Sequence, residues 1–111
     1  MVVELHHYMI YISGKITAPT REEELKNLEK LAQKKEELTK QGLECFNPGE
    51  LEIDGDQWEF YLCKDLRWII ENRPTLYFLD GWKESRGCRL EHEMAVQLGL
   101  PMIFENYLPS P

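Results

Sequence analysis

The chain has 111 residues, of which 42% are hydrophobic, 30% charged and 11% aromatic. A domain usually takes roughly 100–200 residues, so residues 1–111 hold one domain, and the apolar content excludes wholesale disorder. Thirteen Lys and Arg against twenty Asp and Glu give a net charge of −7, which argues against gripping a nucleic-acid polymer, a task that calls for a basic face.

The three cysteines (Cys45, Cys63 and Cys88) are an odd number without a Cys-x-x-Cys pair. That pattern predicts neither a disulfide framework nor a zinc site, and it suits a reducing cytoplasm. The longest apolar run, Tyr8 to Ile12, is too short for a membrane span or a signal peptide, so no membrane partner is expected.

In chain order, Tyr8-Met9-Ile10-Tyr11-Ile12 is β-branched and aromatic and stops at Ser13-Gly14, which predicts a buried strand running into a turn. Thr20 with Glu23 forms a capping-box pattern ahead of a long helix to about Gln41. Its acids lie in the first turn and its lysines towards the end, as the helix dipole favours. Leu25, Leu28, Ala32 and Leu38 mark a thin apolar stripe, and Gly42 closes the helix. Leu43 to Asn47 reads as a second strand, ended by Pro48-Gly49. After a polar loop, Asp56 with Glu59 resembles a second capping pair, for a helix from Gln57 to about Asn72 that stops before Arg73-Pro74. Thr75 to Leu79 is a third strand ending at Asp80-Gly81. Ser85 caps a helix to Leu98, with Gly99 and Pro101 closing it, and Pro101 to Phe104 is a fourth strand.

Strands alternating with helices predict βαβ units and a parallel sheet covered on both faces. The expected fold is a three-layer α/β sandwich with four strands, or at most five, in the order 2-1-3-4. Ligands of such sheets sit at the carboxyl ends of the strands, here Ser13-Gly14-Lys15, Asn47-Pro48, Asp80-Gly81-Trp82 and Glu105-Asn106.

Two carboxylates fall on apolar helix faces. Glu91 lies on the stripe of Cys88, Ala95 and Leu98, and Asp65 interrupts that of Trp58, Leu62 and Ile69. An unpaired buried carboxylate is costly, so each must be paired, hydrogen-bonded or set in a cleft. Salt bridges to Arg67, Arg86 or Arg89 would be the ordinary explanation for one such acid. Two of them, on the helices flanking one strand, favour a site, and a carboxylate pair suits proton transfer with nucleophilic attack, as at glycosidic carbons.

Other motifs are less specific. Ser13-Gly14-Lys15 resembles a short phosphate-binding turn, although ordinary turns use the same residues. His92-Glu93 lacks the second histidine of a zinc-protease motif, and His6-His7 reads as an exposed pair. Asp80 at a strand end lacks the acidic partners that would hold magnesium. Of Trp58, Trp68 and Trp82, only Trp82, in a loop after a strand, is a candidate for lining a pocket.

The segments Tyr11 to Ile16, Asp65-Leu66, and Gly81-Trp82 followed by Ser85 to Glu91, with Ala95 and Leu98 to Pro101, resemble the nucleoside 2-deoxyribosyltransferase-like superfamily over roughly residues 8–104. The resemblance implies a flavodoxin-like fold and cleavage of the N-glycosidic bond of a (deoxy)nucleoside or its 5′-monophosphate, by hydrolysis or base transfer. It implies that Glu91, in a Glu-x-x-x-Ala pattern with Ala95, is the nucleophile, that Asp65 protonates the leaving base and that Tyr11 orients Glu91. Substrate-binding roles follow for Ser13, Gly14, Lys15, Trp82, Ser85, Gly87 and Asn106, with Ser85 and the Gly14-Lys15 turn near a 5′-phosphate. Lys15 stands where relatives commonly carry a small hydroxyl residue, and Pro74-Thr75 where many carry an aspartate. Neither metal nor organic cofactor is implied. Relatives often form dimers whose neighbour completes the site from its C-terminal segment, a role that Asn106 and Tyr107 are placed to serve. The alternative reading is a non-catalytic nucleotide-binding or sensing module on the same fold.

Overall fold

A computed structural model describes residues 9–51 and 58–106, with the side chains of residues 50, 51, 58 and 59 outside that description. Tyr8, the His6-His7 pair, the Asp56–Glu59 capping pattern, the Trp58 ring, Tyr107 and Leu108 therefore lie outside the described residues.

Four strands form one parallel sheet: β1 (Met9–Ser13), β2 (Glu44–Phe46), β3 (Thr75–Phe78) and β4 (Met102–Phe104). Their order is β2-β1-β3-β4, as the alternation of elements predicts. Register pairs Ile10 with Cys45 on one side and with Thr75 on the other, and Leu76 with Met102. The helices are α1 (Arg21–Lys40), α2 (Trp58–Asn72) and α3 (Arg86–Leu98). The chain leaves β1 towards β2 and returns past it to β3, so strand order reverses between β1 and β3. Ligands of open α/β sheets bind outside such a reversal.

The alternation of side chains along β1 sorts the core into two layers. Ile10 and Ile12 pack with Leu31 and Leu38 of α1. Tyr11 packs on the other face with Ile69 of α2, Ala95 of α3, and Leu76 and Phe78 of β3. This is a three-layer, flavodoxin-like arrangement. No helix among the described residues is long and apolar enough to cross a membrane.

The caps agree with the sequence signals. Thr20 Oγ1 accepts the Glu23 N–H at 3.2 Å, and Ser85 Oγ accepts the Cys88 N–H at 3.2 Å. Gly99 closes α3 with φ 68°, a conformation that a β-carbon disfavours. At the end of α2, however, Arg73 takes a left-handed conformation, with φ 47°, and its guanidinium donates to the Leu98 carbonyl at 3.0 Å. The stripe on α1 also differs from expectation. Leu31 is fully buried, whereas Leu25 is 52% exposed and Ala32 lies in solvent. Leu38 is buried and Leu28 half-buried, as expected, so the inward face keeps those two and takes Leu31 in place of Ala32.

Gly14, straight after β1, is closely packed by the layer of α1. A β-carbon there would stand 2.8 Å from Leu79 Cδ1 and 2.9 Å from Leu31 Cδ2. Both leucines are buried, so neither can swing aside into solvent. Packing alone demands this glycine, whatever the turn binds. Gly14→Ala should lower unfolding free energy by about 1–3 kcal/mol, the usual cost of overpacking; urea denaturation measures it, and an unchanged midpoint would contradict the packing.

Candidate functional site

The site is built from one strand and two helices. Tyr11 and Ser13, two residues apart on β1, face the same side of the sheet. α3 crosses that side, and its second turn sets Glu91 against the strand. Both hydroxyls donate to the carboxylate: Tyr11 Oη to Oε2, and Ser13 Oγ to Oε1 at 2.7 Å. Tyr11 and Ser13 are fully buried and Glu91 is 5% exposed. The Tyr11 ring is held in an aromatic layer with Phe46 and Trp68, whose own rings stack with centroids 4.2 Å apart.

The ordinary explanation for a buried acid fails at Glu91, whose partners are hydroxyls. Arg67 pairs with Glu71 on its own helix at 2.7 Å, and Arg89 donates to the Lys83 carbonyl at 2.8 Å.

Burial pushes the Glu91 carboxyl up to about 7, against the hydrogen bonds from Tyr11 and Ser13, which favour the ionised form; the charge of Asp65 adds to the upward shift. Tyr11 is held well above its usual range by burial and by the charges of Glu91 and Asp65, so it stays a donor. Burial and Glu91 push the Cys88 thiol up to about 11, which leaves it protonated and unreactive near neutrality.

Asp65, Ser85, Gly87, Gly14, Cys88 and Glu91 line one small cleft at the carboxyl edge of β1, with Ile16, Thr17, Pro48, Tyr61 and Leu62 completing the wall. Its enclosed volume is about 50 Å³. Tyr61 lies one turn before Asp65, and that spacing placed it on the inward face of α2; its residue type gave no comparable signal. Thr17 carried none.

Other expected site residues go elsewhere. Ser13 is buried beneath Glu91 and contacts the acid instead of the open cleft. Lys15 turns to the far side of the turn, where its ammonium lies 3.4 Å from Glu84, in a groove of about 670 Å³ that Asn106 also lines. Trp82 lies beyond α3, in a groove of about 690 Å³ with Phe104 and Asn106. There it stacks on His92, with ring centroids 4.7 Å apart. His92, which lacks the second histidine of a zinc motif, packs its ring against Trp82 and Phe78. Among the described residues no group of three His, Cys, Asp or Glu side chains could hold a metal ion, and all three cysteines are free thiols.

The raised carboxyl fixes a pH dependence of stability. Below about 4.5, the ordinary value for glutamate, Glu91 is protonated in both folded and unfolded chains. Between there and about 7 the unfolded chain ionises first, so stability falls as pH rises, by on the order of 3 kcal/mol for this group. Glu91→Gln should remove that loss and gain most over wild type near pH 8. Thermal melts from pH 4 to 8 check this; a variant that loses more stability at pH 8 than at pH 4 would contradict it.

No curated protein and no solved structure matches the chain. One family does match, over residues 8–104, a span that takes in all four strands, the three helices and every residue of the cleft. The chain belongs to DUF4406, a family described as a domain of unknown function.

Proposed function

We propose that the cleft cleaves the N-glycosidic bond of a (deoxy)nucleoside or its 5′-monophosphate, by hydrolysis or base transfer. The observation that carries this reading is a buried carboxylate, Glu91, held at both oxygens by hydroxyls, in a cleft that a second carboxylate, Asp65, also lines. The similarity of Tyr11, Asp65, Ser85 and the Glu91–Ala95 pattern to nucleoside 2-deoxyribosyltransferase-like proteins supports the same reaction.

In this reading the ionised Glu91 attacks the anomeric carbon as the bond to the base breaks. The bonding pair leaves with the base, which takes a proton from Asp65 directly or through a water. A water, or the nitrogen of a second base, then attacks the glycosyl ester. Its proton goes to Asp65, and Glu91 is freed as a carboxylate. Ser85 and Gly87, at the start of α3, offer a hydroxyl and backbone N–H groups to a 5′-phosphate. Lys15, paired with Glu84, is given no part. The reaction would take place in the cytoplasm and needs no cofactor.

The cleft's size favours a second reading. An enclosed volume of about 50 Å³ is far below the roughly 300–1,000 Å³ of a full small-molecule site. A module that binds or senses a nucleotide without turnover needs no more than partial enclosure. Self-association belongs to either reading, since Ile70, Leu90, Val96 and Ile103 leave apolar surface exposed; light scattering should return at least twice the monomer mass.

Chromatography of free base after incubation with deoxynucleosides, ribonucleosides and their monophosphates decides between the two. A 2′-fluoro-2′-deoxyarabinonucleoside, or its monophosphate, should leave a covalent sugar on Glu91, visible by intact mass, because fluorine slows release of the glycosyl ester. Glu91→Gln should abolish the adduct. Asp65→Asn should slow base release by about 10²–10⁴-fold. Ser85→Ala should weaken phosphorylated substrates by about 1–3 kcal/mol. Reversible binding of a nucleotide with no base and no adduct would give the cleft to the sensing reading.

A further inference from the structure

We infer that Ser13 is a positioning residue, its hydroxyl acting with that of Tyr11 to fix the Glu91 carboxylate at both oxygens; the inference rests on Glu91 being the working group of the cleft. The resemblance implied a different role for Ser13, contact with substrate. Its burial removes that role. Ser13 is fully buried, and the cleft wall is formed by its neighbour Gly14.

The geometry shows why a second hydroxyl matters. The last torsion of a glutamate side chain is broad and roughly two-fold, so one hydrogen bond leaves the carboxylate plane free to turn. Tyr11 and Ser13 hold different oxygens, Oε2 and Oε1, and two fixed points define the plane. Both donors come from the same face of one strand, about 7 Å apart along it. The long tyrosine and the short serine thus reach one side chain from different heights.

Ser13 is itself held on two sides. Its carbonyl accepts the Leu79 N–H at 2.8 Å, which ties it to the segment after β3. Its hydroxyl donates to Glu91 Oε1 at 2.7 Å, and in the turn of α3 before that acid the Cys88 N–H donates to Ser85 Oγ, the cap of the helix, at 3.2 Å. The end of β1 and α3 are therefore joined through the Ser13–Glu91 bond, one turn along the helix from the capped Cys88. A donor placed this way sets where an attacking oxygen points, and does so without touching the ligand.

Carbon-13 NMR of protein labelled at the glutamate carboxyl carbon tests this without any substrate. In Ser13→Ala, Glu91 should titrate about one pH unit higher than in wild type, because a donor to the ionised form is lost. Ser13→Thr keeps the hydroxyl and should titrate within a few tenths of a unit of wild type. A folded Ser13→Ala protein that titrates as wild type overturns the inference, and so does a Ser13→Thr protein that titrates with the alanine variant. Where base release is measurable, Ser13→Ala should lower kcat about tenfold with KM unchanged, whereas a rise in KM alone would return Ser13 to binding and overturn the positioning role. If no nucleoside is cleaved but the titration shifts as expected, the glycosidic reading fails and the positioning of Glu91 stands.

Discussion

A carboxylate inside the protein between a sheet and a helix is the constraint on which the rest of the structure turns. Left alone, Glu91 would cost several kcal/mol of lost hydration. Two hydroxyl donors meet part of that cost, and they can do so only if Tyr11 and Ser13 share a face of β1. α3 must also run close enough to the sheet for a glutamate to reach both. The small residues around the acid follow from this. Ala95, one turn further along α3, is fully buried, and Cys88, one turn earlier, is nearly so; larger side chains at either place would lift the helix away. The aromatic layer of Tyr11, Phe46 and Trp68 keeps the phenol from tilting out of line.

The other half of the arrangement is topological. Because the chain steps from β1 to β2 and back over to β3, α2 and α3 lie side by side on the face opposite α1, and both line the cleft at the carboxyl edge. Asp65 and Glu91 line that cleft from separate helices. On the far side of α3, the cluster of Phe78, Trp82, His92 and Phe104 packs the helix onto β3 and β4. The same helix thus carries its acid on one flank and its aromatic anchor on the other, and the anchor's stacking resists any roll of α3 that would withdraw Glu91 from β1.

Much of this was legible in the sequence, and the parts that were not share a cause. Alternating elements, capping residues and turn glycines are local signals, and they gave the strand order and the helix ends to within a residue or two. Glu91 and Asp65 were legible because a charge on an apolar stripe conflicts with burial, and such conflicts mark sites. Lys15 was not legible: whether a side chain after a turn points into one groove or the next depends on Glu84, distant in the chain but adjacent in space. The contact of Ser13 with Glu91 and the stacking of His92 on Trp82 were hidden for the same reason, since a hydroxyl or an imidazole serves ligand, acid or packing with equal ease. Only the neighbour across the fold decides. Gly14 is the converse case, a residue that fits a phosphate turn but that Leu31 and Leu79 already require.

The position of Glu91's titration then bears on what the two acids can do together. A carboxyl group that ionises near 7 is available as acid and as base at working pH, the condition that favours proton transfer. Burial sets this value, while the donors on β1 pull the other way and the charge of Asp65 adds to the burial. Neighbouring acids in different surroundings divide their work by environment. Glu91, with a donor on each oxygen, is built to carry negative charge in a fixed direction once ionised. Asp65, half-buried on the opposite wall and nearer solvent, is the acid better placed to exchange a proton with water. That asymmetry suits one group for attack and the other for proton delivery. It comes from the burial and hydrogen bonding of these two residues and does not depend on which ligand enters the cleft.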